Sequence, residues 1–346
     1  MAVARVKIRD RGATDEAERI RFSSSILPRW ARRTRSLDAL LPVLYLRGVS
    51  TGDFQEALAA LLGKDAPNLS PSVIARLTAE WQAEYERWQE RDLSARCYVY
   101  VWADGVYLQA RMEGHAECML VLIGATPEGK KELVGFQVGV RESAQSWREL
   151  LVDVRRRGLT VTPEIAVGDG ALGFWRALDE LYPGTRHQRC WLHKTANILN
   201  KVPKSVQVSM KADLREVHGA PTRAAAEAAI KGFAEKYGRK YARAVECLTK
   251  DRDALPAFYD LPAEHWDHLR TSNPIESVFA TVRHRTVRTK GALSPSTARL
   301  MVFKPVMAAS KTWRRLKGEN QLPKVVAGVT FSDGTEVIQG SANRAA

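Results

Sequence analysis

The 346-residue sequence predicts an α/β fold whose sheet is interrupted by a wholly helical block. Three observations carry that expectation. Residues 98–140 hold three consecutive runs rich in β-branched and aromatic residues. Residues 146–199 alternate helical and strand patterns, and residues 204–260 are helical and Ala-rich.

Residues 1–36 show little periodicity and read as a basic N-terminal arm or a truncated domain. From Leu37 to Leu46 apolar residues recur at helical spacing and stop at Gly48. Ser50 or Thr51 then caps a second helix ending near Gly63. Ser70 caps a third, with Pro71 at its first position, running through Val73, Ile74, Leu77 and Trp81. This region, residues 37–92, is either a DNA-binding helix-turn-helix or a structural or dimerising bundle. Its residues 37–80 carry three basic and five acidic side chains, so charge does not favour the first reading.

Strands follow at Tyr98 to Arg111, Ala116 to Thr126 and Glu132 to Val140. Glu113-Gly114 and Glu128-Gly129 mark tight connections, which makes an antiparallel meander. A helix from Ser146 to Arg157 ends at Gly158, and Ile165 to Asp169 reads as a short buried strand. A helix from Ala171 to Leu181, a strand around Arg186 to Cys190 and a helix through His193 and Leu199 come next. Residues 204–265 form the helical insertion, and Asn273-Pro274 opens the final helix. Residues 318–346 read as a linker and tail. The order is that of a ribonuclease H-like core, split into residues 93–203 and 266–317 around the insertion.

A hydrophobic content of 45% supports an ordinary packed core. Cys97, Cys118, Cys190 and Cys247 are scattered with no close pair, which suggests neither a disulfide framework nor a four-cysteine zinc site and fits a reducing, cytoplasmic compartment. The charged N-terminus does not resemble a secretory signal, and no run approaches the ~18 apolar residues of a membrane span. Lysine and arginine outnumber acids by 53 to 39. Residues 277–317 hold ten basic residues and no acid, and the first 36 residues carry ten basic against four acidic side chains. Such basic stretches point to a polyanion, with nucleic acid first. Arg283, Arg285, Arg288, Lys290, Arg314 and Arg315 are the candidate contacts. No Gly-rich phosphate loop is present, which argues against an NTPase.

Two aspartates stand out because each closes an apolar strand and precedes glycine: Asp104 and Asp169. A carboxylate there is either a turn or capping residue, or half of a cation site at the carboxyl end of the sheet. Oxygen-rich sites select Mg²⁺ or Mn²⁺. Glu276 is the third candidate, although Asn273 at N-cap, Pro274 at N1 and Glu276 at N3 also spell a capping box. Asp251, Asp253, Asp260 and Glu264 compete with it. Cys190 and His193 form a C-x-x-H pair, read first as structural and second as zinc ligands, with only His187 near in sequence.

The segments VWADGVYL, AVGDGALGFWRAL, RCWLHKTANIL and HLRTSNPIESVFATVRHRT occur in that order and resemble the Mutator-type transposases of bacterial insertion sequences. The resemblance spans roughly residues 40–320. It implies a DDE recombinase in which Asp104, Asp169 and Glu276 bind Mg²⁺, with Mn²⁺ as substitute, and in which Cys190 and His193 play a supporting part. It also implies double-stranded DNA partners, namely terminal inverted repeats and target DNA, and a homodimer on paired ends in the bacterial cytoplasm, without a membrane. The first-acid segment WADGVY departs from the commoner pattern, and the N-terminus looks short for the family. A catalytically silent DNA-binding relative, or a structure-specific nuclease on the same fold, are the alternatives.

Overall fold

The computed structural model describes residues 71–107, 117–140, 142–276, 279 and 295–338. The chain divides into two compact units, Met1–Gln82 and Ala83–Ala346. Of the first unit the described part is helical, within α1 (Pro71–Gln89), which opens on Pro71 as expected. The expected arm at residues 1–36, the helices between Leu37 and Gly63, the Glu113-Gly114 turn and the tail beyond 338 lie outside the described residues.

The second unit is built on one five-stranded sheet of order β3-β2-β1-β4-β5. Its strands are β1 (Tyr100–Tyr107), β2 (Glu117–Ala125), β3 (Lys131–Val140), β4 (Ile165–Gly168) and β5 (Arg186–Arg189). The first three form the expected antiparallel meander, while β1, β4 and β5 run parallel. Gly129, at φ +73°, supplies the left-handed residue of the β2–β3 turn.

Parallel strands need covering connections, supplied here by α2 (Ala144–Arg156) and α3 (Leu172–Leu181). These helices bury one sheet face: Val101, Ala103, Leu120, Leu122, Val134 and Ala166 pack with Trp147, Leu150, Val154, Phe174, Trp175 and Leu178. Helix α2 starts before the expected Ser146. Ser143 is the true cap, its Oγ accepting the Ser146 N–H at 3.1 Å.

Side chains alternate across a strand, so the opposite face carries Tyr100 and Trp102, both fully buried. Tyr100 Oη contacts His265 Nδ1 at 2.8 Å, and Trp102 Nε1 donates to the His268 carbonyl at 2.9 Å. His265 Nε2 faces the Gly318 carbonyl at 2.9 Å, so that nitrogen carries the proton and Nδ1 accepts from Tyr100. The 265–268 segment therefore lies over this second face.

Between β5 and that segment the chain is helical, as expected. It comprises α4 (Trp191–Leu199), α5 (Lys204–Gly219), α6 (Arg223–Tyr237) and α7 (Ala242–Thr249). Single turns at Ala257–Asp260 and Ala263–His265 then lead into α8 (Trp266–Leu269). Gln188 ties this block to the sheet: Nε2 donates to the Leu255 carbonyl at 2.9 Å and Oε1 accepts the Phe258 N–H at 3.0 Å. Helix α9 (Pro295–Ser310) packs beside β3, with Phe303 and Phe136 both edge-on to Tyr85.

Residues 318–338 correct the linker expectation. They form α10 (Leu322–Val326) and a hairpin of β6 (Phe331–Ser332) and β7 (Thr335–Glu336). Leu322, Val325 and Phe331 are buried, and the Gly334 N–H reaches the Tyr259 carbonyl at 3.0 Å. Elements this short leave no hydrophobic period to read. Among the described residues no helix is long and apolar enough to cross a membrane.

Candidate acidic active site

Sheet register brings the two aspartates together. Ala103 on β1 pairs with Gly168 on the parallel neighbour β4, so Asp104 and Asp169 occupy equivalent positions one residue further on. Adjacent strands lie about 4.8 Å apart, and equal register places both residues on the face of Trp102. Each carboxylate is steadied by its own turn. Asp104 Oδ1 accepts the Gly105 N–H at 2.9 Å, and Asp169 Oδ1 accepts the Ala171 N–H at 2.8 Å. The Asp169 bond closes a two-residue turn ahead of α3, whose own N-cap position is Ala171.

Glu276 arrives from the stretch that crosses the same face. The Ser272 carbonyl accepts the N–H groups of Ile275 and Glu276 at 2.8 and 3.2 Å, which makes Ser272 the N-cap. This corrects the expected capping box by one residue. Asn273 is exposed and already inside the helix, and Glu276 falls at the fourth position instead of the third. Its carboxylate reaches Ser272 Oγ at 3.5 Å and acts electrostatically on Asp104.

The C-x-x-H pair links these pieces. The Cys190 N–H donates to the Gly168 carbonyl at 2.7 Å, next to Asp169. Cys190 Sγ accepts from the Ser272 N–H at 3.3 Å and from its hydroxyl at 3.4 Å. Cys190 and Ser272 are both buried. His193, one turn along α4, turns toward the acids. Ligand atoms of Cys190, His193 and Glu276 lie within 4.8 Å of one another, the one such metal-competent trio among the described residues. His187, the third zinc candidate, instead pairs with Asp179 at 2.8 Å.

Among the described residues, acids outnumber cations around Asp104. Burial pushes the Asp104 carboxyl up to about 6; His193 opposes this and Asp169 and Glu276 add to it. The Cys190 sulfur holds the His193 imidazole up at about 9 against its burial, helped by Asp104 and Asp169. One acid was missed by the sequence reading. Glu142, just ahead of the α2 cap, has its carboxyl pushed up to about 7 by burial and by Asp169 and Asp104. It sits in a loop between β3 and α2, with neither a strand end nor a glycine after it to single it out. The competing acids are disposed of elsewhere: Asp251 pairs with Lys194 and Arg189, Asp260 with Arg223 and Arg186, and Asp253 and Glu264 are exposed.

Of the basic candidates, Arg314 and Arg315 are exposed, and Arg315 also meets Glu319 at 3.3 Å. Arg283, Arg285, Arg288 and Lys290 lie outside the described residues.

The geometry defines a carboxylate-rich centre at the carboxyl ends of adjacent parallel strands. The Mutator-family transposase model matches residues 18–315, and the chain belongs to that family. Among its relatives is the transposase of insertion sequence element IS6120 from Mycolicibacterium smegmatis, 48% identical over 86% of this chain and 92% of the relative. The transposase of element IST2 from Acidithiobacillus ferrooxidans is 51% identical over 81% of this chain and 95% of the relative. A more distant one, from element IS905 of Lactococcus lactis, is 28% identical over 77% of this chain.

Proposed function

We propose that this chain is the transposase of an insertion sequence, working by metal-dependent phosphodiester cleavage and strand transfer at the element's terminal inverted repeats. Asp104, Asp169 and Glu276 are its catalytic, cation-binding acids on a ribonuclease H-like core. The observation carrying this reading is the equal register of Asp104 and Asp169 on neighbouring parallel strands, with Glu276 delivered to the same face. The strand order β3-β2-β1-β4-β5 supports the ribonuclease H-like assignment.

The donor set fits a hard divalent cation. Asp104 and Asp169 stand side by side at adjacent strand ends, Glu276 acts on Asp104 and lies with its ligand atom near those of Cys190 and His193, and among the described residues His193 is the cation that lowers the Asp104 carboxyl. Mg²⁺ or Mn²⁺ bound there would activate a water or 3′-hydroxyl nucleophile and stabilise the departing oxygen. The protein's share is positioning. The Gly105 and Ala171 N–H groups fix the two aspartates, and Ser272 and Cys190 fix the helix bearing Glu276. His193, cationic at neutral pH, supplies positive charge at the pocket. The basic arm, the residues 277–317 stretch and the region 37–92 are assigned to duplex DNA, with two protomers acting on paired ends. Residues 93–203 and 266–317 are assigned to the core and 204–265 to its insertion.

The test is direct. Purified protein with terminal-repeat duplexes and Mg²⁺ or Mn²⁺ yields nicked and joined products. Asp104→Asn and Asp169→Asn each lower the rate by at least about a hundredfold, the scale of losing one electrostatic element of a preorganised site. DNA binding without metal-dependent cleavage would instead identify a silent relative, and cleavage indifferent to terminal sequence would identify a nuclease.

A further inference from the structure

The acidic centre has a softer neighbour. Ligand atoms of Cys190, His193 and Glu276 lie within 4.8 Å of one another, and no other such trio occurs among the described residues. Two short stretches of chain build it. Cys190 is the N-cap residue of α4, and His193, three residues on, shares its side of the first turn. Glu276 lies one turn beyond the Ser272 cap.

Two further observations point to a ligand between these three side chains. The Ser272 hydroxyl lies 3.4 Å from Cys190 Sγ and 3.5 Å from Glu276 Oε1, and the Ser272 N–H donates to the same sulfur at 3.3 Å. One residue thus orients two of the three ligand atoms, as the outer partners of metal ligands do. His193 Nδ1 is sealed from solvent, and no described residue meets it with hydrogen-bonding geometry. A buried ring nitrogen in that state is costly, and a metal bond is one way to satisfy it.

The donor chemistry selects the ion. A thiolate, an imidazole and one carboxylate suit Zn²⁺, whereas the oxygens of Asp104 and Asp169 suit Mg²⁺ or Mn²⁺. Tetrahedral zinc bonds of about 2.0–2.3 Å set ligand atoms about 3.5 Å apart, so closure from 4.8 Å is on the order of 1 Å. Cys190 is buried, but His193 and Glu276 are partly exposed, which leaves an open side for entry and for a water as fourth ligand. Glu276 also acts on Asp104, so one carboxylate is within reach of both centres.

We propose that Cys190, His193 and Glu276 form a three-ligand Zn²⁺ site whose occupancy withdraws Glu276 from the Mg²⁺ centre and so inhibits cleavage. The zinc site stands on its own geometry; the inhibition rests on the reading of Glu276 as a catalytic acid.

The experiment titrates the full-length protein, in a thiol-free reductant, with Co²⁺ as the spectroscopic stand-in for Zn²⁺. It follows the near-ultraviolet sulfur-to-cobalt charge-transfer band. Wild type should develop that band, and Zn²⁺ should bleach it. Cys190→Ser should abolish it, whereas serine at the partly exposed Cys97 or Cys247 should not. His193→Ala and Glu276→Gln should each raise the half-saturating Co²⁺ concentration by about tenfold or more, since loss of outer partners alone costs roughly tenfold to hundredfold. Circular dichroism checks the fold of each variant, and these two partly exposed positions decide the matter if Cys190→Ser does not fold. In parallel, Zn²⁺ at band-bleaching concentrations should inhibit Mg²⁺-dependent cleavage of terminal-repeat DNA, and chelation followed by Mg²⁺ should restore it. His193→Ala should need about tenfold more Zn²⁺ for half-inhibition, measured against its own zinc-free rate. No band in wild type, or a band that survives Cys190→Ser, overturns the site. A bleached band with cleavage unaffected overturns the inhibition. Asp104→Asn should keep the band and lose cleavage; if it keeps both, the acidic centre falls while the zinc site stands.

Discussion

Cys190 occupies the junction on which Glu276 depends. Its sulfur accepts two donors from Ser272, and both partners are sealed from water. Cys190→Ala leaves the Ser272 N–H and hydroxyl without that acceptor, at a cost of about 1–3 kcal/mol. Cys190→Ser keeps an acceptor and loses less, so urea midpoints should rank wild type, then serine, then alanine. Cleavage should fall with alanine as Glu276 loses its anchor and recover in part with serine; equal activity in both variants would remove Cys190 from any positioning role. Residue identity alone carried part of this picture. Asp104 and Asp169 were legible because strand-ending acids before glycine are locally unusual. The cap at Ser272 was not, because Asn273-Pro274 spells an equally good helix start one position later and only the hydrogen bonds decide between them. Glu142 was invisible for a related reason: its burial and the two aspartates that act on it are set by the fold.

At the scale of elements, the core of the meander and β4 follow from composition, since β1, β2 and β4 are buried on both faces and read as near-continuous apolar runs. The polar strand β5, Arg-His-Gln-Arg, is held by specific partners instead. Arg189 stacks on Trp175 at 4.0 Å and pairs with Asp251, which also binds Lys194 from α4. Lys194 is 3% exposed, so Asp251 is the carboxylate that makes its burial tolerable. Asp251→Asn leaves two neighbouring cations undercompensated and should destabilise the protein by about 3–5 kcal/mol, read by chemical denaturation. Replacing Lys194 with methionine and Asp251 with leucine together should cost less than Asp251→Asn alone. This prediction also separates Asp251 from the active site: cleavage at saturating Mn²⁺ by the folded fraction should survive the single change.

The whole molecule carries a formal charge of +14, which makes DNA affinity a salt-dependent quantity. Arg314→Ala with Arg315→Ala should weaken binding to all duplexes alike and reduce the slope of log affinity against log salt by up to about 2, one per lost phosphate contact. An unchanged slope would place that exposed pair away from the DNA.

Metal-free stability should also depend on pH in a way set by the acidic centre. Among the described residues, the charged groups acting on Asp104 are Asp169, Glu276 and His193, and those acting on Glu142 are Asp169, Asp104 and His193. Asp104, raised from 3.8 to about 6, and Glu142, raised from 4.5 to about 7, bind more protons folded than unfolded across that window. Their contribution is present at low pH and lost as pH rises through about 6 and 7. His193, raised from 6.5 to about 9, acts in the same direction over the next window. Each group contributes at most about 1.4 kcal/mol per pH unit. Asp213, Asp251 and Asp267 are shifted downward, so their opposing contribution is complete before pH 5, whereas His187, His218, His265 and His268, all shifted downward by burial, add stability as pH rises toward 6.5. In chelator the melting temperature of wild type relative to Glu142→Gln should therefore fall between pH 5 and pH 8, a difference that leaves out the histidine contribution common to both. Added Mn²⁺ should restore more stability at pH 8 than at pH 5, because cation and protons compete for the same oxygens. A Mn²⁺ increment independent of pH, or unchanged in Asp104→Asn, would mean that the cation binds somewhere other than these carboxylates.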